Sequence, residues 1–80
     1  MKIRLIAFGI ARDILQSKEL ELELREGDSI RTLKQNLFQK YPDFLGLQSI
    51  AFAVGENYQE DGYLLQDKDE VVIIPPVSGG

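Results

Sequence analysis

The sequence predicts an α+β fold, a mixed sheet of four or five strands with one main helix packed on one face. Three observations predict it. Short runs with apolar side chains at every second position recur along the chain. Only one stretch, Ile30 to about Lys40, has apolar residues at helical spacing over several turns. A single helix of that length can cover one face of a sheet and not both.

The elements follow in order. Lys2 to Phe8 alternates, with Ile3, Leu5 and Ala7 on one face and Lys2, Arg4, Ile6 and Phe8 on the other. Gly9 breaks the run, and Ala11 to Gln16 reads as a short helical turn or loop with Arg12 and Asp13 exposed. Leu20 to Leu24 sets three leucines against a row of glutamates, the pattern of an antiparallel edge or meander strand with one wet face. "REGDS" is a turn at Gly27 followed by a helix N-cap at Asp28 or Ser29. Ile30, Leu33, Leu37 and Tyr41, with Phe38 beside them, form the buried stripe of the long helix. Pro42 disfavours helical geometry at Tyr41 and ends it.

"DFLGLQ" is a connection to a third strand, Ser49 to Val54. A turn at Gly55 to Asn57, a short return segment from Tyr58 and a second turn at Gly62 follow. "QDKDE" is a tight acidic turn, and Val71 to Ile74 is the last strand. A hairpin, one crossover helix and then further strands is the β-grasp arrangement, in which the first and last strands lie side by side and parallel. Those two strands are also apolar on the face turned away from the helix. The expectation is an outward apolar patch of Phe8 and Ile6 with either Val72 and Ile74 or Val71 and Ile73, a surface for a partner protein.

Composition narrows the chemistry. The chain has 80 residues and neither cysteine nor histidine, which removes disulfides, the usual zinc ligands and the commonest acid–base and nucleophilic groups. Net charge is −4, and the nine basic residues are scattered, against a nucleic-acid partner. No apolar stretch approaches a membrane span, and "MKIRLIAFG" lacks a signal-peptide core, so the expected location is the cytoplasm. Asp61, Asp67, Asp69 and Glu70 do not follow the EF-hand pattern, and no metal site is expected.

The expected division is a domain over 1–76 and a flexible Gly-Gly tail over 77–80. Pro75 and Pro76 lack backbone donors, so pairing stops there and the chain leaves in an extended form. Val77 and Ser78 continue it. Gly79 and Gly80 have no Cβ and fit a channel too narrow for other residues. The group such a tail presents is the Gly80 carboxylate.

"DKDEVVIIPPVSGG", Asp67 to Gly80, resembles the C-terminal signature of the molybdopterin synthase small subunit family. "FGIARD", Phe8 to Asp13, and "AVGENY", Ala53 to Tyr58, are similar to two further motifs of that family. Lys68 stands where the family usually has Gly. Gly9 and Asp13 replace a common Ala and Glu, which look like conservative changes. Ile73 and Ile74 replace frequent aromatics.

The resemblance implies a ubiquitin-like sulfur carrier. A partner adenylating enzyme would use ATP to activate Gly80, and a sulfur donor would make the thiocarboxylate. The large synthase subunit, in a heterotetramer, would take the sulfur to cyclic pyranopterin monophosphate. Catalytic side chains would belong to the partners, with no cofactor bound here. Phe8 and Arg12 would be partner contacts by motif match. A carrier for thiamine or amino-acid synthesis, a ubiquitin-like modifier joined to lysines, and a plain interaction module remain alternatives.

Overall fold

In the computed structural model, residues 1–47 and 50–75 are described. Five strands form one sheet: β1 (Lys2–Ala7), β2 (Glu19–Glu23), β3 (Ala51–Val54), β4 (Asn57–Gln59) and β5 (Glu70–Ile74). Two α-helices, α1 (Gly9–Leu15) and α2 (Ile30–Lys40), and a 3-10 helix over Pro42–Gly46 complete the chain. The sheet order is β2-β1-β5-β3-β4, with β1 and β5 parallel and the other pairs antiparallel. This is the expected β-grasp arrangement, with five strands.

The register explains the core. Leu5 pairs with Val71 and Ala7 with Ile73, so these four point to the same side and are fully buried. Phe52 and Val54 of β3 join them opposite Ile73 and Val71. Ile30, Leu33 and Leu37 of α2 cover this face, as the helical spacing requires. Ser29, not Asp28, is the N-cap: its side chain accepts from the Thr32 N–H, while Asp28 turns back to accept from the Arg25 N–H. Tyr41 leaves helical geometry before Pro42, as expected.

Three readings change. The segment after Gly9 is a helix, and its Ala11 and Leu15 belong to the core. β1 stops at Ala7, and Phe8 serves as the extended N-cap residue of α1. "DFLGLQ" is more than a connection, because Phe44 at 1% exposure fills the core from the 3-10 helix. β3 is described from Ala51; Gln48 and the expected start at Ser49 lie outside the described residues. No helix among the described residues is long and apolar enough to cross a membrane.

β2 lies at one edge, and its Leu20 and Leu22 are only half-buried. Its glutamates meet the basic residues of β1: Arg4 reaches Glu19 at 2.7 Å, and Lys2 reaches Glu21 at 3.5 Å. The segment from Glu60 to Leu65 is strapped to the start of α2. The Ile30 and Arg31 N–H groups donate to the Tyr63 and Asp61 carbonyls, and Lys34 Nζ pairs with Asp61 at 2.8 Å.

Candidate functional site

The face of the sheet turned away from α2 has two halves. At one end Arg4 lies opposite Glu70 and bonds it at 2.9 Å, with Glu19 and Glu21 alongside. Toward the other end the residues are apolar. Ile6 is in register with Val72, Val72 with Ala53, and Ala53 with Tyr58. One row therefore crosses four strands. In the next row Ile74 lies opposite Ala51. Phe8 keeps extended backbone angles, continues the outward set of β1 one pleat beyond Ile6, and is 60% exposed.

The register decides between the two patches the sequence allowed. Val72 and Ile74 face outward and are half-buried, whereas Val71 and Ile73 are core residues. The structure thus brings Ile6, Val72 and Ile74 together, with Phe8 at the end of the same face. Arg12 sits a turn further on, exposed, its N–H donating to the Phe8 carbonyl at 3.4 Å. Sequence reasoning left out Ala51, Ala53 and Tyr58, the last 70% exposed. The alternation of Ala51 to Val54 and the short return at Tyr58 carried the signal. What was missing was the pairing that sets them beside β5.

Pro75, half-buried, marks the root of the tail. It lies beside the β1–α1 corner: a Cβ on Gly9 would come 3.9 Å from Pro75 Cγ. Gly9 has φ of +56°, a backbone that L side chains rarely adopt, so Gly for Ala here is not the conservative change it looked. Pro76, Val77, Ser78, Gly79 and Gly80 lie outside the described residues.

Among the described residues two groups titrate away from their ordinary values, and both belong to the loop strapped to α2. The hydrogen bond from Lys34 holds the Asp61 carboxyl below the usual carboxylate range. Burial and the neighbouring Asp69 carboxylate push the Tyr63 phenol up. Among the described residues no group of three or more acidic side chains is placed to hold a metal ion.

A mixed five-stranded sheet, one long crossover helix and a single apolar outer face define a ubiquitin-like β-grasp protein. Residues 5–80 match the ThiS family, and the chain belongs to that family. A molybdopterin synthase sulfur carrier subunit from Arabidopsis thaliana is 31% identical over 81 residues, which cover 100% of this chain and 84% of that one. The solution structure of small archaeal modifier protein 1 from Methanosarcina acetivorans superposes with a TM-score of 0.77 at 26% identity, covering 99% of this chain and 96% of that one. A protein–protein complex of subunits 1 and 2 of molybdopterin-converting factor from Helicobacter pylori contains a chain with a TM-score of 0.69 at 23% identity. Both chains are covered in full, and at that identity the likeness speaks for the fold.

Proposed function

We propose that this chain is a sulfur carrier and the small subunit of molybdopterin synthase. The observation that carries the reading is the likeness over the whole chain to a subunit of that name. The family match also runs through to Gly80. The Gly80 carboxylate oxygen attacks the α-phosphorus of ATP on a partner adenylating enzyme, and pyrophosphate leaves. Hydrosulfide delivered by a sulfur donor then attacks the acyl carbon, AMP leaves, and the resulting thiocarboxylate carries sulfur to cyclic pyranopterin monophosphate on the large subunit. ATP is the partner's substrate and not a cofactor of this chain. Catalytic side chains reside on the large subunit, in a heterotetramer with two carriers, and the cycle runs in the cytoplasm.

The apolar outer face supports this reading, in which it is the docking surface. Ile6, Val72, Ile74 and Phe8 are apolar and outward, and β5 runs from that face directly into Pro75 and the tail. Arg12 supplies a charge at the rim. The tail residues Pro76, Val77, Ser78 and Gly79 deliver Gly80 through a channel that side chains would block.

The test is intact-mass spectrometry after incubation with the adenylating enzyme of the same organism, ATP and a sulfur donor. The expected result is exchange of one Gly80 oxygen for sulfur, and an unchanged mass overturns the proposal. The likeness to a small archaeal modifier protein favours a second reading, amide linkage of Gly80 to lysines of target proteins. Lysine-linked conjugates in cells, absent when Gly80 is deleted, would support that reading.

A further inference from the structure

Asp61–Gly62 is the one place in the chain where an Asp or Asn precedes a Gly. Such a bond is open to attack from within. Glycine has no Cβ to keep its nitrogen away from the preceding carboxyl carbon, and its backbone turns freely. The Gly62 nitrogen can therefore close on Asp61 Cγ to form a five-membered succinimide. The bond lies in a turn closed by the Tyr63 N–H donating to the Glu60 carbonyl at 3.0 Å. Gly62 is exposed, and a Cβ built on it would meet nothing within 4 Å. Its N–H donates to none of the described residues. The attacking nitrogen is unencumbered.

The carboxyl it would attack is held. Lys34 Nζ, on α2, pairs with Asp61 Oδ1 at 2.8 Å. The Asp61 carbonyl accepts from the Arg31 N–H at 3.0 Å, and the Tyr63 carbonyl from the Ile30 N–H at 3.0 Å. Side chain and main chain are thus tied to the same end of one helix, on both sides of Gly62. Ring closure needs Cγ to swing onto the Gly62 nitrogen, which breaks the ion pair. The hydrogen bond from Lys34 also keeps the carboxyl ionised. An ionised carboxyl is the poorer acyl donor, because a protonated one can lose its oxygen as water. Lys34 and Asp61 belong to α2 and its strap, not to the outer face, so sulfur carriage does not call for the pair.

We propose that the Lys34–Asp61 ion pair guards the Asp61–Gly62 bond against isomerisation, and that Asp61 is where the chain gains isoaspartate once the pair is lost. The Gly62 nitrogen bonds to Asp61 Cγ, and its proton leaves with the carboxyl hydroxyl as water. Water then adds to either carbonyl of the ring. Addition at Cγ restores aspartate. Addition at the Asp61 backbone carbonyl leaves the main chain running through the side chain. One water is lost and one regained, no electrons are exchanged, and the mass is unchanged. Isoaspartate adds a methylene to the main chain and moves the Asp61 carbonyl away from the Arg31 N–H. Ile30 and Arg31 open α2, where N–H groups have no partner inside the helix. The isomerised chain should therefore melt at a lower temperature than the fresh one.

The experiment ages the full chain in one buffer, well below Tm. Isoaspartate is counted by methyl transfer from S-adenosylmethionine with a protein-isoaspartate methyltransferase, and placed by peptide mapping. Lys34→Gln should accumulate it at Asp61 about two- to fivefold faster than wild type, the span that a half-exposed ion pair can supply. Lys34→Arg should match wild type, and adding Gly62→Ala to Lys34→Gln should suppress the product. Val71→Ala loosens the core without touching the strap and should age like wild type. Equal rates in Lys34→Gln and wild type, equal acceleration by Val71→Ala, or isoaspartate at a different residue each overturn the proposal, and none of them bears on the carrier reading.

Discussion

Phe44 is 1% exposed, with the Tyr41 ring edge-on and the Phe38 ring tilted toward it, each at 6.4 Å between centroids. Cutting it to Ala leaves a void between α2, the 3-10 helix and the sheet. Phe44→Ala is expected to lose about 3–5 kcal/mol in a urea unfolding titration, a large part of the stability of a chain this size. Ser29 is a milder case. Its bond from the Thr32 N–H is long, at 3.4 Å, and the return bond from its own N–H to Thr32 Oγ1 is 3.5 Å. Ser29→Ala should therefore lose only about 0.5–1 kcal/mol, the lower part of the usual N-cap range, by the same titration.

At the scale of elements, β5 offers a paired test because neighbours on it face opposite sides. Val71 is fully buried against α2 and Val72 is outward. Val71→Ala should destabilise the fold by about 2 kcal/mol. Val72→Asp should leave Tm within a few degrees of wild type but abolish sulfur loading in the mass-spectrometric assay. Equal destabilisation by both would mean that the outer face is structural.

The strap onto α2 makes a separate prediction. The Asp61 carboxyl titrates below its ordinary value because of Lys34, so its contribution is present above the unfolded pKa and is lost as pH falls through the folded one. Stability should decline on acidification below about pH 4. Asp61→Asn should lower Tm slightly at pH 7, leave it unchanged at acid pH where the carboxyl is protonated, and so flatten that limb of the Tm–pH curve. The effect is small, because the Asp61 side chain is 43% exposed and screened by solvent.

For the whole molecule, the core and the tail are expected to be separable. Every buried apolar residue among those described lies at or before Ile73. Deleting residues 77–80 should leave the unfolding curve unchanged while ending sulfur acquisition. Adding one residue after Gly80 should have the same selective effect, since the reactive group would then belong to a different residue. Loss of folding in either variant would place the tail in the structural unit.

Much of the architecture was legible from local chemistry. The alternating runs, a cap at Asp28 or Ser29, the stop at Pro42 and the glutamate-lined edge each follow from side chains within a few positions of one another. The sequence by itself determined the strands, the long helix, their order and the presence of a surplus apolar surface. It could not determine which half of "VVII" faces out, because that stretch is apolar at every position. The pairing of Leu5 with Val71 and Ile6 with Val72 decided it. Tertiary structure also made a helix of Gly9–Leu15 and a core residue of Phe44, since both short segments gain their stability from packing on the rest of the fold. It alone showed that Lys68 keeps a glycine-like backbone, because hydrogen bonds to Lys2 from across the sheet hold the turn in that shape.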